Sequence, residues 1–312
     1  MTRSCLLLAL SLSLAACADK AATPANAAPV AAAPAVVASP AEPRSPQGAG
    51  PRLVTIGSAV TEIVFALGRG EQIVAADKSS LYPEAAAKIA TLPYFRQVSA
   101  ESVLALAPTL VLVGQDAGPE SALQQIEAAG VRVVRVPEVK DIATAKARVV
   151  AIAAALDPAL AAEAEALNKR LDAQLEQAKT RRDACANREA PPRALFVYAR
   201  GPGMLMVGGK ETPADVMFGL ADAQNAAGAL EGFKPLTAEA VVAADPEVIV
   251  FTTKGLDGLG GADGALKIPG VAQTAAGKNK RFVALDDLKL LGMGPRAGEA
   301  ALELVEALHD CP

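Results

Sequence analysis

The sequence predicts an α/β protein built as two similar Rossmann-like lobes joined by one long α-helix, with a ligand cleft between the lobes. Three observations carry this. Apolar strands alternate with helical stretches along the body of the chain. A segment of the first half recurs in the second, and the stretch between them is helical and, over residues 159–186, free of Gly and Pro. Strand–helix alternation implies a parallel or mixed sheet, and 312 residues leave room for two lobes.

The chain opens with an address. Arg3 supplies a positive start, and Leu6 to Ala16 is an apolar run of 11 residues. A bilayer span needs about 20, so residues 1–17 read as a secretory signal. The run ends Leu14-Ala15-Ala16-Cys17, a string similar to the bacterial lipobox, in which Cys17 becomes the lipidated first residue. Cleavage after Ala16-Cys17-Ala18 is the alternative and yields a soluble protein. Residues 18–50 are nearly all Ala, Pro, Ser and Gly, too poor in large apolar groups to repay ordering, and read as a disordered tether.

The first lobe spans 51–156. Its predicted strands are Leu53 to Ile56, Gln72 to Ala76, Leu110 to Val113 and Val131 to Val136, with helices running to Leu67, over Ser99 to Ala107, and over Glu120 to Ala129 before Gly130. The connecting helix spans 157–190. Asp157-Pro158 restarts a helical pattern near 28 residues long, about 42 Å at 1.5 Å per residue. The second lobe spans 191–312. Its segment from Thr237 to Phe251 matches Ser99 to Val113 at a constant offset of 138 without a gap. Both copies place Ser or Thr as helix cap, Glu at the second helical position and Pro before a buried strand. A looser pair, Glu62 to Leu67 and Asp215 to Leu220, extends the repeat.

Composition removes several function classes. A net charge of -4 argues against a nucleic-acid partner. The single histidine, His309, cannot build a His-based triad or a multi-His metal site. The cysteines at 5, 17, 185 and 311 have no CxxC spacing, and there is neither a P-loop nor a nucleophile elbow. An extracytoplasmic enzyme is therefore disfavoured, and a sensor or scaffold on the same fold is the other competing class.

A secreted, tethered, two-lobed chain with a helical connector resembles the substrate-binding proteins of bacterial ABC importers, in the cluster that serves siderophores, cobalamin and haem. The haemin-binding members are the most similar. The matching strings are Arg52 to Gly57 with Val60 to Gly68, Leu92 to Glu101 around Tyr94-Phe95-Arg96, Gly232 to Thr237, and Leu290 to Arg296. The resemblance covers residues 52–309 and departs at Asp222-Ala223-Gln224-Asn225, where the family often has a Gly-Gly pair.

The resemblance implies a non-enzymatic carrier that captures ferric haem as transported cargo, with no catalytic cofactor, and passes it to an ABC permease dimer with its ATPase. The expected location is the periplasm, lipid-anchored or soluble; a ferric-siderophore or cobalamin carrier is the alternative. Tyrosinate is a hard oxygen ligand suited to ferric haem. Free Tyr titrates near 10, so a neighbouring guanidinium assists. Tyr94 is implied as the axial ligand to the haem iron, with Tyr82 and Tyr198 in reserve. Extended backbone would put Arg96 on the side of Tyr94. The offset of 138 makes Lys234 the counterpart of Arg96, so the two are candidates to orient the ligand or hold propionates. Leu290 to Met293 is a candidate apolar wall. One acid per lobe is implied to dock the permease, with Glu62 and Asp215 the candidates and Glu211 competing with the latter. Cys185 and Cys311 form a possible disulfide.

Overall fold

Two parallel-rich sheets are set side by side against a pair of helices. The computed structural model describes residues 50–185, 190–201 and 203–309, all within the compact unit Gly48–Pro312. The expected signal segment with Cys17, the tether through residue 49, and Cys311 lie outside the described residues.

The first sheet contains β1 (Leu53–Ile56), β2 (Ile73–Asp77), β3 (Ala90–Leu92), β4 (Leu110–Val113) and β5 (Arg132–Arg135). Their order is β3-β2-β1-β4-β5 and every pairing is parallel. Strands covered on both faces read as continuous apolar runs, and β1 and β4 are buried along their whole length. The helices α1 (Ser58–Ala66), α2 (Ala100–Leu104) and α3 (Glu120–Ala128) supply those covers. Val60, Ile63 and Val64 of α1 build the core on one face; Val103, Leu123 and Ile126 of α2 and α3 build it on the other.

The connection is a helical hairpin, α4 (Ile142–Leu156) and α5 (Ala161–Cys185). Ile142 begins α4 against the core of the second lobe, and Val149, Ile152 and Ala153 carry it into the core of the first. Asp157 ends α4, its side chain accepts from the Ala159 amide at 2.9 Å, and Pro158 opens a single 3₁₀ turn. Then α5 runs back. Ala164 and Leu167 belong to the first core, Leu175 and Ala178 to the second. Thus α5 is the long connecting helix of the sequence prediction, 25 residues and about 37 Å, and α4 accompanies it. Lys146 and Asp172 tie the two at 2.6 Å.

The second sheet comprises β6 (Arg193–Ala199), β7 (Leu205–Gly208), β8 (Gln224–Asn225), β9 (Phe233–Pro235), β10 (Val248–Thr252) and β11 (Phe282–Leu285). The order is β11-β10-β6-β7-β9, with β8 on β6. Strands β6, β10 and β11 are parallel neighbours, but β7 runs antiparallel to both β6 and β9. The second lobe therefore repeats the first in its parallel half and departs from it at the β6–β7 hairpin. Its helices are α6 (Pro213–Leu220), α7 (Ala238–Ala244), α8 (Thr253–Leu259), α9 (Gly261–Ala265), α10 (Ala275–Lys278), α11 (Asp287–Leu291) and α12 (Ala297–Leu308). The 138-residue offset appears in three dimensions. Ser99 Oγ accepts from the Ser102 amide at 3.2 Å to cap α2, and Thr237 Oγ1 accepts from the Ala240 amide at 3.2 Å to cap α7.

Cys185 closes α5, is 3% exposed and is disulfide-bonded. Such a bond restricts the unfolded chain. Cys185→Ser is expected to lower the unfolding free energy by about 2–4 kcal/mol, read from denaturant midpoints against the oxidised wild type, and reduction of the wild type should remove the difference.

Candidate functional site

In parallel sheets, ligand crevices lie beyond the carboxyl ends of the strands. Here the loops leaving those ends in one lobe meet the loops of the other. Tyr82 follows β2 and Tyr94 follows β3. Tyr198 and Arg200 stand at the end of β6, and Arg296 sits just before α12.

The first lobe's loops are anchored by one buried carboxylate. Asp77, 2% exposed, ends β2. Its Oδ1 accepts from the Gly57 amide at 2.8 Å and Ser80 Oγ at 3.0 Å, and its Oδ2 from Ser79 Oγ at 2.7 Å and the Ser79 amide at 3.1 Å. Gly57 has φ +116°, a value L side chains rarely adopt, and so turns β1 into α1 while pointing its N–H at Asp77. Thr61 hydroxyl shares hydrogen bonds with Thr55 at 2.8 Å and Ser80 at 2.7 Å. The start of α1 and the chain leading to Tyr82 are thus one polar unit.

Two arginine–tyrosine contacts cross between the lobes. The inner one is tight. Glu62 of α1 accepts from Arg296 Nε and Nη2, both at 3.0 Å, and the Arg296 guanidinium lies 3.5 Å from the centre of the Tyr82 ring. Burial alone would lower the Arg296 pKa, but the hydrogen bonds and charge of Glu62, with Asp286 at 3.5 Å, raise it. A second cation joins from α4. Arg148 Nη2 donates to the Gly292 and Met293 carbonyls at 2.8 and 2.6 Å, and burial pushes its pKa down to about 10 against the favourable charge of Glu62.

The outer contact is loose and exposed. Arg200 Nε donates to the Tyr198 hydroxyl at 2.8 Å. Its guanidinium carbon is 5.7 Å from the centre of the Tyr198 ring and 5.6 Å from that of Tyr94, which belongs to the opposite lobe. Tyr94 is 42% exposed. Phe233, half-exposed, packs at 6.3 Å on both Tyr198 and Phe196. These rings, with exposed Met204, whose carbonyl accepts from the Arg200 amide at 3.0 Å, give an apolar rim with phenol oxygens and a cation among them.

Several expected roles change. Residues 94–97 form a turn closed by the Gln97 amide donating to the Tyr94 carbonyl at 2.7 Å, not an extended strand. Arg96 therefore turns toward Asp116, 3.8 Å away, and over the Phe95 ring. The guanidinium beside Tyr94 is that of Arg200. The same Tyr-x-Arg spacing occurs at Tyr198-Ala199-Arg200, at the end of a genuine strand, and strand alternation was the signal that would have found it. Lys234 is exposed on β9, paired in register with Val207. Leu290 and Met293 do not form a wall, because both are buried in the second lobe's core. His309 is buried too, its Nε2 2.7 Å from the Ala221 carbonyl oxygen.

The two acids expected to dock a permease are both engaged within the protein. Glu62 is 4% exposed, and both its oxygens are engaged by Arg296. Asp215 is partly buried and accepts from Asn225 Nδ2 at 2.8 Å. The matched, exposed acids of the two lobes are instead Glu101 and Glu239, at the second positions of α2 and α7, where the 138-residue repeat puts them.

Removing the Asp77 carboxylate would strand at least one buried donor. Asp77→Ala is expected to destabilise by roughly 2 kcal/mol or more, with Asp77→Asn intermediate, measured by chemical denaturation.

The comparisons with known proteins agree with this geometry. The model of the periplasmic binding protein family Peripla_BP_2 matches residues 53–288. The apo periplasmic haem-binding protein RhuT from Roseiflexus sp. RS-1 is similar in structure with a TM-score of 0.79 and 41% identity, covering 84% of this chain and 99% of that one. The haem-binding protein HutB of Vibrio cholerae gives 0.73 and 31%, covering 83% and 98%. The ABC transporter substrate-binding lipoprotein YvrC of Bacillus subtilis is 26% identical over 260 residues, 83% of this chain and 80% of that protein. A vitamin B12-binding protein of Yersinia pestis is 33% identical over only 86 residues, 28% of this chain and 31% of that protein. With most of its described length matched, from β1 to α11, the chain belongs to the periplasmic binding protein family.

Proposed function

We propose that this protein captures ferric haem between its lobes through a tyrosine ligand and hands it to an ABC importer. The observation that carries this reading is Tyr94: a half-exposed phenol at the mouth of the cleft with the Arg200 guanidinium facing it from the other lobe. A tyrosine oxygen is an axial ligand suited to ferric haem iron. The likeness at 41% identity to a haem-binding protein supports the same cargo. Tyr198 is the reserve ligand, since its oxygen already accepts a guanidinium hydrogen bond. Tyr82 is less free, being stacked beneath Arg296. Arg96 and Lys234, both exposed, are available to propionates. The shorter match to a vitamin B12-binding protein keeps cobalamin as the second reading.

The protein acts as a carrier and not as an enzyme, in the periplasm, held to a membrane through Cys17. Delivery uses one acid on each lobe, Glu101 and Glu239, against a permease dimer powered by its ATPase. A groove of about 370 Å3 lined by Leu205, Pro235, Leu236 and Ala238 adjoins Glu239 and supplies apolar surface beside it.

Two experiments test this. Haemin titrated into the chain lacking residues 1–50 should give a saturable high-spin tyrosinate spectrum, lost in Tyr94→Phe. Retention of that spectrum in Tyr94→Phe with loss in Tyr198→Phe moves the ligand to Tyr198. No saturable binding by the wild type defeats the haem reading. Separately, Glu101→Ala with Glu239→Ala should weaken binding to the reconstituted importer by roughly a hundredfold while leaving haemin affinity unchanged.

A further inference from the structure

The lobes have separate apolar cores, and one enclosed charge cluster joins them. Glu62 comes from the first lobe, Arg296 from the second, and Arg148 from the helical hairpin behind both. The side chains of Glu62 and Arg296 are 5% and 11% exposed. Burying an ion pair seldom adds net stability, because desolvation offsets the attraction. What a bidentate guanidinium–carboxylate pair does supply is geometry, since its two parallel bonds fix distance and plane together.

Here the plane of Arg296 is fixed twice. Glu62 holds its edge and the Tyr82 ring lies 3.5 Å from its guanidinium carbon. The segment leading to Arg296 is held independently, because Arg148 donates to the Gly292 and Met293 carbonyls. That segment runs beside the pair, since a Cβ added at Gly294 would stand in ordinary contact, 3.5 Å from the Glu62 carboxylate. A change of angle between the lobes must therefore pull a guanidinium off a carboxylate or off a ring. Among the described residues no such pair restrains the outer edge, where Arg200 and Tyr94 are exposed and the guanidinium carbon is 5.6 Å from the ring centre.

We infer that Arg296 is a positioning residue of the cleft: by bridging Glu62 and Tyr82 it sets the inter-lobe angle and immobilises the Tyr82 ring before any ligand arrives. Motion is left to the Tyr94–Arg200 edge. The effect on haem retention rests on the function proposed above; the effect on the lobes does not.

The test separates the two. Spin labels at Ala128→Cys on α3 and Lys267→Cys in the second lobe, both exposed positions, report the inter-lobe distance in the ligand-free protein. The native background should give one narrow distribution. Arg296→Lys keeps the charge but loses the fork and the stack, and should widen the distribution roughly twofold or add a second population. Glu62→Gln should do the same, and it alone decides if Arg296→Lys does not fold. Haemin dissociation, followed by transfer to apomyoglobin, should accelerate roughly tenfold in both. Tyr82→Leu removes the stack but keeps the fork, and should accelerate dissociation while widening the distribution less than Glu62→Gln does. A lowered melting temperature with an unchanged distance distribution would assign the pair to stability alone and overturn the inference. Failure of the native protein to bind haemin would remove the proposed cargo and leave the distance result standing.

Discussion

The Glu62–Arg296 pair governs how the two lobes meet, and the arrangement of everything facing the cleft follows from it. Each lobe is a sheet with its own apolar core on each face, so neither needs the other to bury its strands. Contact between them runs along the helical hairpin behind and through the charge cluster. The hairpin limits separation, but two helices alone leave twist and bend available. The bidentate pair, with Arg148 reaching the adjoining carbonyls, removes much of that freedom at the inner end of the cleft.

This division explains why the two arginine–tyrosine contacts differ. Arg296 is desolvated, paired and stacked; its role is complete within the protein. Arg200 is exposed, bound to one phenol and near another, so a flat ligand entering between Tyr94 and Tyr198 meets a cation already turned to the phenols. The same residue types thus serve two ends. The choice between them is set by burial and by whether a carboxylate answers the charge.

What was legible in the sequence was what local chemistry determines. The Ser99 and Thr237 caps, the Pro-terminated helices and the buried strands β4 and β10 depend on residues within a few positions of one another. The candidate site was legible in its residue types but not in its pairings. Arg96 was matched to Tyr94 by assuming extended backbone, and a four-residue turn separates them. Arg200 is legible beside Tyr198 through strand alternation, but its second partner, Tyr94, lies in the other lobe and is not. Glu62 read as a surface acid because its partner is 234 residues further along the chain. No periodicity or spacing carries information across that distance. Once its burial is known, the repeat itself identifies Glu101 and Glu239 as the pair of exposed acids.

A cleft whose angle is set during folding changes where the work of transport falls. Binding ordinarily costs the free energy of ordering the parts that close on a ligand, and preorganisation removes that cost from the binding step. If the inner edge is already clamped, capture needs only the Tyr94–Arg200 edge to adjust, and affinity is correspondingly retained. Release then meets the opposite situation. The clamp that favours capture also resists opening, because both Glu62 oxygens accept from Arg296. Opening then has to break those bonds. The repeat leaves one exposed acid on each lobe, Glu101 and Glu239, at the second positions of α2 and α7, so the docking proposed above would load both sides of the clamp.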